Sequence, residues 1–195
     1  MERLYFLRAF FCLSIILAAI CSLLIGGCAK YSEEVQANLT RLENTKACPD
    51  CNLEGVELMK FDLTSADLTR ANLTNANLSR ADLTNANLTD ANLTNAILTN
   101  AVLVKTKIIN ANLSRVKLSY ANINGSEISN AIFIDAHLNS TKIFNSNINN
   151  SDMTGANFYK ADLSKARLSN VIFKDAIFYN TTMPDRKINN LSCKD

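Results

Sequence analysis

The sequence has no tryptophan, two prolines, five glycines and a single histidine. So few glycines exclude a collagen-like chain and a flexible Gly-rich chain. Charge of one sign is also lacking, with 20 Lys and Arg against 18 Asp and Glu. That balance argues against a strongly basic nucleic-acid binder and against a strongly acidic DNA mimic. No nucleophile is paired with a base, no Gly-rich loop is built to hold phosphate, and no spacing suits a metal. No cofactor is expected. The length, 195 residues, suits one ordinary domain plus an extension. Asparagine is what the chain has in excess, at 26 residues. Such bias marks low complexity or an internal repeat.

Residues 1–27 read as a targeting segment. Arg3 and Arg8 lie near the start, and an apolar stretch from Ala9 to Ile25 comes next. It ends Leu24-Ile25-Gly26-Gly27-Cys28. Small residues before a Cys, after a branched apolar residue, resemble the lipobox of bacterial lipoprotein signal peptides. The resemblance implies cleavage before Cys28 and diacylglycerol on its sulfur. Acyl chains contribute about 0.8 kcal/mol per buried CH2, so two or three hold a soluble domain at a bilayer. Two other readings stay open. Ala9–Ala29 is just long enough to span a bilayer uncleaved, and an ordinary signal peptide would release a soluble protein. The expected address is the bacterial cell envelope. An Asp after the Cys resembles an inner-membrane retention signal, and Ala29 in its place implies the outer membrane where the host has one.

Residues 28–50 form a bridge. Val35, Leu39 and Leu42 fall on one helical face, with Ser32 as N-cap and Glu33 and Glu34 in the first turn. The spacing predicts a short amphipathic helix that covers the open end of the repeat region.

From Cys51 to Met183 the period is five. Apolar residues recur at every fifth position from Leu53 through Leu73, Leu93 and Leu113 to Met183, making about 27 repeats without insertion. Two residues before each stands a small one, usually Ala, as at Ala66, Ala71, Ala76 and Ala81. This is neither a helical nor a strand period. One small and one larger residue point inward, then the chain turns a corner. Four sides close a square coil of 20 residues, and the coils stack. The units Ala71-Asn72-Leu73-Thr74-Asn75 and Ala81-Asp82-Leu83-Thr84-Asn85 resemble the pentapeptide repeat family. That resemblance implies an all-β fold, a right-handed quadrilateral β-helix of about 6–7 coils. At ~4.8 Å per coil the rod is about 32 Å long. Residues 20 apart should sit above one another, so Asn52, Asn72, Asn92 and Asn112 are expected to form one amide ladder. Asn110, Asn130, Asn150 and Asn170 are expected to form another. Residues 184–195 are a polar tail expected to fold over the far end, because a bare coil edge invites aggregation.

Cys48-Pro49-Asp50-Cys51 stands at the entry to the first coil. An exported compartment permits disulfides, and a local Cys48–Cys51 bridge would staple the cap. Two reduced core thiols are the alternative. A redox role lacks a thioredoxin-like strand–helix pattern, and zinc lacks a second ligand pair. Cys193, a rod length away, is too far to pair with either.

After residue 100 the repeats relax, and outward positions turn apolar. Ile132, Ile134 and Ile172 fall on one side of the coil; Tyr159, Ile177 and Tyr179 fall on the next, with Tyr120. Such a patch marks an interface with a protein partner or a homodimer through the C-terminal coils. Scattered exposure on relaxed repeats is the plainer reading. By resemblance, gyrase-binding members that mimic DNA offer a second function. The lipobox, a balance of 12 Lys and Arg against 11 Asp and Glu between residues 51 and 183, and the lack of a projecting loop oppose it. Catalysis and nucleic-acid binding are not expected. The leading expectation is a non-catalytic, lipid-anchored envelope scaffold.

Overall fold

The computed structural model describes residues 30–190. The targeting segment, Cys28 and Cys193 lie outside the described residues. Contacts divide the chain after Ser32, and the unit Glu33–Asp195 holds the helix and all the strands among the described residues.

That unit is a right-handed quadrilateral β-helix closed at one end by a helix, α1 (Glu33–Thr45). Ala47 already pairs with Asp67, so the stack begins one side earlier than the sequence boundary at Cys51. Successive coils pair in parallel at a constant offset of 20 residues, from Asn52↔Asn72 to Asp162↔Thr182. The four sides take their names from their first members: face A from 51–55, face B from 56–60, face C from 61–65 and face D from 46–50.

Each pentapeptide repeats one backbone solution. Leu73 N–H donates upward to Asn92 O at 2.7 Å, and Asn72 N–H donates downward to Cys51 O at 2.9 Å. The corner closes when Ala71 N–H bonds Leu68 O at 3.1 Å. Its second corner residue, Arg70, has φ of 56°. That is a type II turn, whose third residue must take positive φ. The same position recurs around the whole coil, at Asn75, Asn85, Asn95 and Asn100 among others. Asparagine and aspartate tolerate this left-handed region better than other side chains. Part of the Asn excess is therefore corner chemistry.

A second part is turn chemistry. Asn92 Oδ1 accepts from Thr94 N–H at 3.1 Å and from Thr94 Oγ1 at 2.6 Å. Asn72, Asn77, Asn87 and Asn112 act alike on the Ser or Thr two residues on. This Asx-turn geometry corrects the first expected ladder. In the column Asn52, Asn72, Asn92, Asn112, one amide-to-amide bond forms, Asn72 to Asn52 at 3.4 Å. The side chain is within reach of its own backbone before it is within reach of the next coil.

The second expected ladder forms at two of its three steps: Asn130 donates to Asn110 and Asn170 to Asn150, each at 3.1 Å. Here face D runs as true strands: β1 (Lys107–Ile109), β2 (Glu127–Ser129), β3 (Asn147–Asn149) and β4 (Arg167–Ser169) form one parallel sheet in that order. Hydroxyls replace the small Ala beneath them. Thr106, Ser126 and Ser146 are buried, and each donates to a carbonyl of the coil below: Leu83 O, Leu103 O and Ile123 O. Every one of these inward polar groups is satisfied, so burial carries no desolvation penalty for an orphan group.

The core is a column of side chains, not a layer between sheets. Leu53 to Leu163 at the larger inward positions, with Phe133, Met153 and Phe158 among them, are buried along the axis. The Ala positions close the corners around it.

Candidate interaction surface

The two ends of the stack differ. At the first coil, α1 lies across the opening with Val35 and Leu42 buried and Leu39 half-buried. The spacing of these three residues gave the helix and its face. Ser32 precedes it and Glu33 and Glu34 occupy its first turn, where the dipole favours acids. It ends at Lys46, whose φ of 53° and N–H bond to Leu42 O terminate the last turn. Asn38 Nδ2 donates to Asn52 O at 3.0 Å, so the helix meets a carbonyl of the coil rim. Cys48 and Cys51 are bonded to each other in a disulfide, with Cα atoms 5.3 Å apart and both residues buried. The Arg41 guanidinium lies 3.9 Å from Cys51 Sγ.

Charges bind this end further. Lys46 Nζ contacts Asp62 at 2.7 Å, and Arg70 makes a paired contact to Asp50 at 2.6 and 2.7 Å. The Lys46 bond, with support from Thr64, holds the Asp62 carboxyl well below the usual carboxylate range. The Arg70 hydrogen bond holds Asp50 low in the same way.

At the last coil the inward side chains are less covered than those one coil below. Leu168, Val171, Phe173 and Ala176 point inward yet stay half-buried, whereas their counterparts one coil below, Ile148, Ser151, Met153 and Ala156, are buried. Among the described residues, the tail lies along face C. There β5 (Thr181–Thr182) pairs antiparallel with β6 (Ile188–Asn189), and Asn180 N–H bonds Asn190 Oδ1 at 2.8 Å. Of the tail expected to fold over this end, the described part lies along one side. A cleft of about 680 Å³ beside the tail, lined by Met183, Pro184, Asp185, Lys187 and Ile188, carries no nucleophile paired with a base.

The structure redistributes the apolar patch. Ile132, Ile172, Ile177 and Tyr179 are exposed, but Ile134 and Tyr159 are half-buried. On face A, Asp152 stands between Ile132 and Ile172 in the same column, so these two isoleucines share no continuous surface. On face B, the Tyr159 and Tyr179 rings stack at 5.4 Å, and Lys160 Nζ sits 5.0 Å from the Tyr159 centroid. Tyr120, at 65% exposure, and Phe144 stand apart. Ile172, Ile177 and Tyr179 are the exposed members of the patch in the last coil. Inside it, Phe158, Phe173 and Phe178 form an aromatic cluster with centroids 5.2–5.8 Å apart.

Column sorting for apolar residues alone missed the charges. Within residues 156–175, one turn of the coil, each face bears one base, Lys160 on B, Lys165 on C, Arg167 on D and Lys174 on A, with Asp162 also on C and Asp175 on A. The sequence held this signal, read at 20-residue pitch. Among the described residues the ion pairs are Lys46–Asp62, Arg70–Asp50 and Lys187–Asp185, so none of those four bases is engaged in one.

Among the described residues, no group of three His, Cys, Asp or Glu side chains could hold a metal ion. No helix among them is long and apolar enough to cross a membrane.

Comparison with known proteins gives consistent relatives. The family model "Pentapeptide repeats" matches eight copies, which together cover residues 61–175. Among solved structures, a pentapeptide repeat protein (Rfr23) from the cyanobacterium Cyanothece 51142 is 31% identical. The match covers 71% of this chain and 98% of that one, with a TM-score of 0.25. HetL, a pentapeptide repeat protein involved in heterocyst differentiation regulation from the cyanobacterium Nostoc sp. strain PCC 7120, is 22% identical over 73% and 91% of the two chains, TM-score 0.22. Full-length QnrB1, a plasmid-mediated fluoroquinolone resistance protein, is 15% identical over 71% and 88%, TM-score 0.36. No curated protein matches the chain. The 20-residue coil, its left-handed corners and the matched span from 61 to 175 place this chain in the pentapeptide repeat family.

Proposed function

We propose that this chain is a non-catalytic, lipid-anchored protein of the bacterial envelope that serves as a rigid interaction scaffold. The observation that carries the scaffold reading is the contrast between the ends. One is closed by α1 and a disulfide, and at the other Leu168, Val171 and Phe173 are half-buried beside exposed Ile172, Ile177 and Tyr179. Exposed apolar groups that persist together on a solenoid end suit a binding face. The anchor rests on the sequence Leu24-Ile25-Gly26-Gly27-Cys28.

Mass spectrometry of the membrane fraction from the host tests the anchor. The expected result is an N-terminal peptide that begins at Cys28 and carries added diacylglycerol. A chain still starting at Met1 in the cytosol overturns it and moves a gyrase-binding assay to the front. Sedimentation tests a homodimer through the C-terminal coils. Ile172→Lys with Tyr179→Lys should return a dimer to monomer, and an unchanged mass excludes that arrangement.

A further inference from the structure

The four long sides of the coil are not alike. Counted from Lys46 to Asp185, face B carries four Lys and Arg against one acid, a net of +3, whereas face A is −2, face C −1 and face D neutral. The bases of face B are Lys60, Arg80, Lys117 and Lys160, all exposed, and none is in an ion pair among the described residues. Its acid, Glu57, stands in the first coil and accepts a hydrogen bond from Asn77 Nδ2 at 2.8 Å. Lys60 and Lys160 are five coils apart, about 24 Å at ~4.8 Å per coil. The charge therefore runs along the side and does not gather at one end.

Apolar groups concentrate on the same side. Met59, Tyr120, Ile177 and Tyr179 are four of the eight large apolar side chains that are exposed among the described residues. An even spread over four faces would leave two there. Face A exposes Ile132 and Ile172 with Asp152 between them, and face C exposes Phe144 alone. Face B is the side on which several exposed apolar groups stand among bases with no acid between them.

This chemistry suits a bilayer surface better than a polyanion. A nucleic-acid strand needs cations for its phosphates and free ring faces for its bases. Here Tyr159 and Tyr179 stack on each other at 5.4 Å, and Lys160 Nζ stands over the Tyr159 ring, so ring faces are engaged within the protein. Met59 and Ile177 offer no ring at all, but both suit acyl chains. Tyrosine, an apolar ring with one polar atom, suits the interfacial zone. Lys and Arg reach from an apolar stem to the headgroups. The charge of an anionic bilayer is uniform in its plane, which matches a side of seven stacked rungs.

We infer that face B lies against an anionic lipid bilayer, with the coil axis along the membrane plane. This goes beyond the scaffold reading and holds with or without lipid on Cys28. Each base near such a surface is worth about fivefold in partitioning, so two give roughly 30-fold, and salt weakens the attraction.

The chain has no tryptophan, so a single introduced one is a unique reporter. In the full chain, Tyr120→Trp sets it on face B, and Asn147→Trp sets it on face D, the opposite side. Each variant is mixed with vesicles of phosphatidylcholine with brominated acyl chains, alone or with phosphatidylglycerol at about a 7:3 ratio, to set an anionic surface. Flotation with pure phosphatidylcholine reads the anchor, and quenching reads the face, so a failed anchor and a failed face are told apart. The expected result is quenching of Tyr120→Trp in the phosphatidylglycerol vesicles alone, lost in high salt, with Asn147→Trp unquenched throughout. Adding Lys117→Glu with Lys160→Glu to Tyr120→Trp should lower the ratio of docked to undocked chain by roughly 30-fold or more. Adding Lys107→Glu with Arg167→Glu makes the same change in net charge on face D and should leave that ratio within about threefold. Circular dichroism confirms that the variants fold. A single-stranded oligonucleotide at equal phosphate should leave the quenching in place. No quenching of Tyr120→Trp, equal quenching of the two reporters, equal loss from the two charge reversals, or release by the oligonucleotide would each overturn the proposal.

Discussion

The closed end and the C-terminal end of this β-helix are made from the same repeat, yet they differ in how the last rung is finished. At the start, a 13-residue helix spans the opening, and its buried Val35 and Leu42 complete the core. At the finish, β6 pairs with β5 along one face. A solenoid needs caps because every rung relies on its neighbours for burial. One cap here satisfies that need, and at the other end the inward side chains are less covered. The lesson is that exposure at a solenoid end comes from geometry as well as from composition. Phe173 is as apolar as Phe133, but among the described residues only Phe133 has a rung on both sides.

Truncations sharpen this contrast most. Leu98→Ala in mid-stack and Leu42→Ala under the helix should each cost about 2–5 kcal/mol, as cavities in packed cores do. Leu168→Ala at the C-terminal end should cost less than half as much, since its side chain is partly in water. Urea denaturation measures all three, and equal losses would mean that the end is covered. Next in size, reduction of the Cys48–Cys51 bridge should destabilise the closed end by about 2 kcal/mol. Hydrogen exchange should then rise in α1 and leave the β2–β3 pairing unchanged.

Corner substitutions come after. Gly155 has φ of 68°, and a methyl group there would collide with the Asp135 carboxylate. Gly155→Ala should cost about 1–3 kcal/mol, combining left-handed strain with the displaced acid. Asn95→Ala, at φ of 59°, should cost about 1–2 kcal/mol. Thermal or urea denaturation of the two variants checks both values. The smallest effect is acid sensitivity of the closed end. Asp62 and Asp50 are held below the ordinary carboxylate value of 3.8 by Lys46 and Arg70. Their contribution is complete above that value and is lost as pH falls through the lower folded values. Exchange of the α1 amides should therefore accelerate in strong acid ahead of the mid-stack amides, and Asp62→Asn should abolish part of the difference.

Much of this was legible because period and inwardness coincide. Leu53, Leu73 and Leu93 repeat at a pitch that only a four-sided coil explains, and the alternation with Ala fixes which atoms face in. Val35, Leu39 and Leu42 gave the cap for the same reason. The asparagine columns were harder. Asn92 and Asn110 are the same residue, but one sits before a Thr that its oxygen can reach and the other sits at a corner facing its neighbour. Ile134 and Tyr159 are less exposed than the rest of the patch because adjacent rungs shield them, and Asp152 interrupts one column. Relative height along the stack decided exposure, and a set of outward positions carries no height.

The constant 20-residue pitch has a mechanical consequence. Each pentapeptide advances the chain by a quarter turn, so the coil behaves like an indexed screw. Removing one pentapeptide would rotate everything above it by about 90° relative to α1 with the inward pattern intact, and removing four would lower it by one rung, about 4.8 Å, with no rotation. Lengthening and turning are thus separate adjustments in this molecule. The direction in which Tyr179 looks can be changed without altering any residue that it touches.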